Sequence, residues 1–246
     1  MACADRNHSS YLYRIGNISL LIDCGEPVSR SFKASGESYD LIDRIFLSHL
    51  HFDHSGGFFM LMQGFWLEQR KKELRVTLPA DGITPFRQML EVGYLFEELL
   101  PFRLIFEPLE TGKSILQEGV QVTPFRTSHL DGFQKSFQAK YPGDYLACSF
   151  LIEAQDLRIG HSADLGKPED LEPLVRQPLD LLVCELAHFP PERLFEFLRG
   201  REIEHLALVH LGRDSWLHFE KTRALAARML PGLRVSFPRD QDLILL

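Results

Sequence analysis

The stretch Arg44-Ile-Phe-Leu-Ser48-His49-Leu-His51-Phe-Asp53-His54-Ser-Gly-Gly57 decides how this chain is read. An apolar run ends in serine, and three imidazoles and a carboxylate follow within six residues. Imidazole nitrogen and carboxylate oxygen are the donors that Zn²⁺ takes in catalytic sites. Alternate side chains of an extended segment share a face, so His49 and His51 are expected to grip one ion. Asp53 and His54, past the bend, then reach a second. The plain alternative is a solvated polar turn.

One segment cannot complete two coordination spheres, and the sequence offers three further donors at the ends of apolar runs. His129 follows the run 120–127 in Thr-Ser-His, Asp164 follows 157–161 in His-Ser-Ala-Asp, and His210 closes 205–209. Taken singly, each reads as a polar residue that meets solvent or caps a turn. Together with the cluster they form a set, and the set carries the argument.

Around these residues the pattern is that of a mixed α/β chain. Apolar or alternating runs predict strands at 18–23, 44–49, 74–79, 120–127, 145–153, 157–161, 179–185, 205–210 and 233–237. Helical spacing appears at 57–72, 84–96, 168–175, 191–199 and 219–230, in places with proline near a first turn. Residues 26–38 and 130–144 read as loops, either functional or simply mobile insertions. The cluster Phe58-Phe-Met-Leu-Met62 with Phe65-Trp66 reads as a buried helix face or an oligomer contact.

The chain has 246 residues, 45% of them hydrophobic, enough for one large domain, 1–246, with a substantial core. A net charge of -7 removes the global positive field that draws a protein to nucleic acid or anionic membrane. Cys3, Cys24, Cys148 and Cys184 form no C-x-x-C pair and fit a reducing compartment. With no apolar leader at the N-terminus, the expectation is a soluble cytoplasmic protein.

The motif H-x-H-x-D-H, followed by separate His, Asp and His at strand ends, resembles the metallo-β-lactamase superfamily. Within it, Leu47-Ser-His-Leu-His-Phe-Asp-His-Ser-Gly-Gly57, Ser162-Ala-Asp164-Leu-Gly and Asp180-Leu-Leu-Val-Cys-Glu185-Leu-Ala are most similar to the ribonuclease Z-like phosphodiesterase branch. The resemblance implies an αββα sandwich of two mixed β-sheets flanked by helices. It implies two divalent metal ions, Zn²⁺ foremost with Mn²⁺ or Fe²⁺ as alternatives. His49, His51 and His129 would hold one, Asp53, His54 and His210 the other, and Asp164 would bridge. Asp23, in Leu-Leu-Ile-Asp-Cys-Gly, matches the family's first-motif Asp, which orients a ligating His; as a bare residue it reads equally as the polar stop of a strand. Asp53 would also orient the nucleophilic water or take its proton.

This chain departs from the branch at several places. Its penultimate motif there reads His-Glu-Ala-Thr, the His protonating the leaving group and the Glu orienting it; here Glu185 remains but Cys184 stands in place of the His. A thiol with a pKa of about 8.5 is poorly matched to that task. His188 could supply the imidazole, or it is an ordinary loop His. Ribonuclease Z enzymes grip tRNA with a long Gly-rich basic arm, whereas residues 130–144 here form only a short segment that resembles a lid, with Phe133, Phe137 and Tyr141. That segment and the acidic charge disfavour tRNA. The N-terminal segment Asn7-His-Ser-Ser-Tyr11 comes sooner than the family's, through a short first strand or an abbreviated start.

Arg213, in Leu-Gly-Arg-Asp-Ser-Trp216, could bind a substrate phosphate or pair with Asp214; the branch's Ser/Arg spacing is not reproduced. The expected activity is hydrolysis of a small or cyclic phosphodiester, or an RNA end. Cleavage of a carbonyl ester such as a lactone or thioester is the alternative enzyme, and a non-catalytic metal-containing metabolite sensor is the alternative class. Relatives in the branch often dimerise, so a homodimer is expected.

Overall fold

The computed structural model describes residues 6–246. Cys3 therefore lies outside the described residues. The chain forms two compact units, one ending at Glu110 and the other running from Thr111 to Leu246.

The first unit is built on a five-stranded sheet in the order β1-β2-β3-β4-β5: β1 (Tyr11–Ile15), β2 (Ile18–Ile22), β3 (Arg44–Phe46), β4 (Leu74–Leu78) and β5 (Leu104–Pro108). β1 and β2 are an antiparallel hairpin, while β2 to β5 are parallel. Its helices are α1 (Val28–Ala34), α2 (Phe52–Ser55), α3 (Phe58–Leu67) and α4 (Ala80–Val92). In α3, Phe58, Leu61, Met62 and Phe65 are all fully buried, the i, i+3, i+4, i+7 face that the sequence indicated. Each such side chain contributes roughly 1.5–3 kcal/mol through removal from water.

The second unit carries a seven-stranded sheet in the order β12-β11-β10-β9-β8-β7-β6. The strands are β6 (Ile115–Gln117), β7 (Val120–Arg126), β8 (Cys148–Ala154), β9 (Leu157–His161), β10 (Leu179–Leu186), β11 (Ile203–Leu211) and β12 (Arg234–Ser236). β6 to β9 run antiparallel and β9 to β12 parallel. Four helices accompany them: α5 (Asp131–Phe137), α6 (Pro191–Leu198), α7 (Arg213–Leu217) and α8 (Phe219–Met229). Leu194, Phe195 and Leu198 of α6 join Leu182, Cys184 and Leu206 in the core.

Several elements differ from their sequence reading. Both presumed loops contain a helix: α1 buries Val28 and Phe32 one turn apart, and α5 buries nothing, so no apolar stripe marked it. α4 starts four residues before the expected 84 and holds Pro85 inside the helix, at its sixth residue, where proline removes one hydrogen bond to the preceding turn. The segment at 168–175 makes only a 3₁₀ turn, Pro168–Leu171. β1 went unpredicted although Gly16-Asn17 links Ile15 to Ile18 as a two-residue hairpin turn, a readable signal. β5 and β6 also went unpredicted. Cys24, Cys148 and Cys184 are buried free thiols. Among the described residues no helix is long and apolar enough to cross a membrane.

Arg70 was invisible to hydrophobic patterning, since it is a charged residue only 1% exposed. Its guanidinium donates to the carbonyls of Tyr39, Ile42 and Glu73 and lies over the rings of Phe65 and Phe102 at 5.0 and 5.6 Å. It thereby fastens the segment leading into β3 to the turn leading into β4. Arg70→Met leaves three carbonyls without their donor and is expected to lower unfolding free energy by about 3 kcal/mol. A urea titration reads this as a lower midpoint at unchanged slope.

Candidate functional site

In the first unit the candidate ligands sit where the parallel strands end. Beyond β3 the chain stays extended through Leu47, whose N–H donates to Thr77 O at 2.9 Å. His51, with φ -61 and ψ 144, caps α2, so Asp53 and His54 lie in the first turn of a four-residue helix. That turn folds His54 back: its ring centroid is 4.2 Å from His49, closer than the 4.8 Å between His49 and His51. His49 and His54 are buried, and Asp53 and His51 are half-buried.

Asp23 organises this set. It follows β2, is fully buried, and has φ 63. Its Oδ1 accepts the Ser48 N–H at 2.8 Å, and its Oδ2 accepts the Ser48 hydroxyl at 2.9 Å. Oδ2 also lies 2.6 Å from His54 Nδ1. A carboxylate is an acceptor only, so that ring nitrogen carries the proton and Nε2 is left as the donor to a metal. Ser48 Oγ, having given its proton to Asp23, accepts from His49 Nδ1 at 3.0 Å and leaves Nε2 of His49 in the same state. Ser48 was not singled out in the sequence, because a serine beside a histidine carries no signal until Asp23 is brought against it.

The backbone around Asp23 allows no bulk. Cys24 N–H donates to His54 O at 2.6 Å, and Ser9 N–H donates to Asp53 O at 3.1 Å. A Cβ on Gly25 would lie 2.2 Å from Asp53 O. Gly25 is thus required by the close passage of the chain beneath the α2 turn.

In the second unit the candidates again follow strand ends. His129 comes three residues after β7, Asp164 three after β9, His188 two after β10, and His210 lies within β11. Glu185 pairs with Val209 but Leu186 with Leu211, so His210 is the extra residue of a β-bulge. Its φ of 44 is the left-handed geometry that such a bulge uses to re-aim a side chain. His210 Nδ1 lies 2.9 Å from Asp164 Oδ1, while Nε2 of His129 and of His188 lie 3.6 and 3.7 Å from Asp164 Oδ2. Asp164, His188 and His210 present donor atoms that all fall within 4.8 Å of one another. Imidazoles around one buried carboxylate fit a divalent cation by the chemistry of their donors.

Glu185 is 1% exposed, and its oxygens are held by main-chain donors. Oε1 accepts Leu165 N–H at 2.9 Å; Oε2 accepts Ala187 N–H at 2.6 Å and His188 N–H at 3.3 Å. Oε1 also lies 2.8 Å from His188 Nδ1. Ser162 Oγ accepts the Glu185 N–H at 2.9 Å, and Thr127 Oγ1 donates to Asp164 O at 2.8 Å. Burial works against a charged His188, but the hydrogen bond and charge of Glu185, with the charge of Asp164, outweigh it and raise its pKa above the ordinary value. Cys184 is in the apolar core, where burial drives its thiol pKa far up. Alternation along β10 puts it on the opposite side from Glu185. Arg213 is exposed in the first turn of α7, and Phe133, Phe137 and Tyr141 are exposed.

A family model described as Anti-Pycsar protein Apyc1 matches residues 2–190, which include every candidate ligand except His210. A ribonuclease Z of Archaeoglobus fulgidus is 31% identical over 127 residues, covering 51% of this chain and 40% of that protein. The chain spans less than half the length of the curated relatives it matches. Among solved structures, the metallo-β-lactamase fold protein YhfI from Bacillus subtilis superposes with a TM-score of 0.74 at 19% identity, over 97% of this chain and 92% of YhfI. The short form of human tRNase Z gives 0.72 at 18% identity, over 98% and 93%. The shared fold is the metallo-β-lactamase one, two mixed sheets with flanking helices.

Asp23→Ala removes the acceptor that sets both His54 and Ser48. Metal affinity is expected to fall roughly 10- to 100-fold, measured by competition with a chromogenic chelator. Unchanged affinity would reduce Asp23 to the end of a strand.

Proposed function

Since the chain belongs to the Anti-Pycsar protein Apyc1 family, in the ribonuclease Z-like branch of the metallo-β-lactamase superfamily, we propose that it is a metal-dependent hydrolase of small or cyclic phosphodiesters. The observation that carries this reading is Asp164 with His188 and His210 around it and Glu185 behind His188. A buried carboxylate ringed by imidazoles, one of them held by a second carboxylate, provides both cation donors and a proton carrier.

The residues proposed to hold two divalent ions are His49, His51, Asp53 and His54 of the first unit and His129, Asp164 and His210 of the second. Zn²⁺ suits these nitrogen and oxygen donors, and so do Mn²⁺ and Fe²⁺. Bound there, the ions would lower the pKa of a water and draw charge from the phosphoryl oxygens. Asp53 takes the proton of the attacking water. His188 gives a proton to the departing oxygen through Nε2, with Nδ1 fixed on Glu185, so that Glu185 sets the ring's orientation. At 33% side-chain exposure His188 can meet a substrate, which Cys184, fully buried, cannot. Arg213, exposed on α7, is assigned to a substrate phosphate oxygen.

A compact substrate is favoured by the segment between His129 and β8, which holds only α5 and a turn. The ribonuclease Z relatives make an RNA end the competing substrate. Three buried free thiols agree with a cytoplasmic setting, and a homodimer is the expected assembly, checked by light scattering.

The deciding experiment supplies the metal-loaded and the chelator-stripped protein with cyclic mononucleotides, bis(p-nitrophenyl) phosphate, a 3′-extended tRNA, a lactone and a thioester. Metal-dependent turnover of the cyclic or aryl phosphodiesters is expected. Turnover of only the lactone or thioester would overturn the reading, and two equivalents of metal with no turnover at all would point to a sensor.

His188→Ala separates proton donation from a structural role. With an alkoxide leaving group, kcat should drop by roughly 10²–10⁴, whereas a p-nitrophenolate leaving group needs no proton and should lose little. An equal loss with both would sink the assignment.

A further inference from the structure

Two loops of the second unit that carry candidate ligands are joined by a residue with no place in the reaction described above. Asp170 lies in the 3₁₀ turn Pro168–Leu171 and is half-buried. Its Oδ2 accepts the Ser128 N–H at 2.9 Å, the Ser128 hydroxyl at 2.8 Å and the Gly166 N–H at 2.9 Å, with the Lys167 N–H at 3.3 Å. Ser128 directly precedes His129, and Gly166 is two residues beyond Asp164. One carboxylate oxygen therefore collects donors from both loops. If Asp170 were only the cap of its own turn, the bond to Lys167 would suffice, and that is the longest of the four.

The loops also approach each other more closely than ordinary side chains permit. A Cβ on Gly166 would lie 2.4 Å from Ser128 Oγ and 2.7 Å from the Ser128 carbonyl. Thr127 Oγ1 adds its bond to Asp164 O at 2.8 Å. With the backbones pressed together, Ser128 N–H and Gly166 N–H need an acceptor between them, and an anionic oxygen supplies the strongest kind.

We propose that Asp170 is a positioning residue that clamps the His129 loop to the Asp164 loop and so presets the 3.6 Å spacing of His129 Nε2 and Asp164 Oδ2 for a shared metal ion. The inference rests on the metal-dependent reading above, though not on the identity of the substrate. Preset donors bind a cation without first paying the entropy of ordering two loops. Partners that orient ligands from behind typically carry 10–100-fold in metal affinity.

The test is metal binding by the full chain, with Zn²⁺ titrated against a chromogenic chelator, alongside thermal melts of the metal-free protein. Asp170→Ala should weaken Zn²⁺ binding roughly 10- to 100-fold. Asp170→Asn retains a carbonyl oxygen for the same donors and should recover part of that loss; it also keeps the test informative if the alanine variant fails to fold. Asp40→Ala is the control, because Asp40 Oδ1 likewise accepts two main-chain donors, Lys71 N–H at 2.8 Å and Lys72 N–H at 2.9 Å, in the other unit. It should lower the melting temperature and leave Zn²⁺ affinity unchanged. If Asp170→Ala and Asp170→Asn lower the melting temperature as Asp40→Ala does, with no greater loss of Zn²⁺ affinity, Asp170 is a turn cap and the proposal is overturned. A wild-type protein that binds no metal overturns it together with the proposed function. A wild-type protein that binds Zn²⁺ tightly but cleaves no phosphodiester removes the substrate assignment and leaves the clamp to be judged on affinity alone.

Discussion

The burial of the Asp23 carboxylate is the constraint from which the rest of the first unit's site follows. A buried anion is tolerated only when its oxygens are satisfied, and here the satisfying groups are Ser48 N–H, Ser48 Oγ and His54 Nδ1. Those three bonds tie the end of β2 to the end of β3 and to the α2 turn. They also fix which nitrogen of His54 and His49 is left to face outward. Strand order contributes the rest: β2 and β3 are adjacent and parallel, so their C-terminal ends emerge side by side. Gly25 then lets the chain pass within reach of the Asp53 carbonyl.

The second unit uses carboxylates in a related way. Asp170 and Glu185 take main-chain donors from the loops after β7, β9 and β10, and Asp164 meets the imidazole of His210 in β11. Loop ends otherwise lose much conformational freedom when ordered, and charged acceptors that bind several N–H groups at once offset part of that cost. The β-bulge at His210 adds a residue with left-handed geometry, where a regular strand would have continued the alternation. Such irregularities concentrate where a side chain must be aimed.

The altered motif at Cys184-Glu185 acquires a physical meaning from this arrangement. On β10, successive side chains alternate between the core and the opposite face, and position 184 falls to the core. A histidine there would be buried among leucines, with its ring nitrogens removed from water. His188 stands past the strand end, partly exposed and held by Glu185. In the proposed reaction the proton carrier is His188, whose carboxylate partner is Glu185.

Much of this was legible in the sequence. The six-residue His/Asp cluster, the three later donors at the ends of apolar runs and the buried face of α3 are local patterns, because ligand chemistry and periodicity are properties of short segments. Most of the strands were found for the same reason. The helices α1 and α5, the packing role of Arg70, and the parts of Ser48, Ser162 and Asp170 were not. α5 buries no residue and so leaves no stripe, and a serine or an aspartate whose partners lie 23 to 42 positions away shows nothing in its own neighbourhood. The sequence by itself determined which side chains have the chemistry to hold a metal. Only the tertiary structure decided which polar residues stand behind them, because hydrogen bonds between strand ends depend on strand order and register, and neither is written in any single segment.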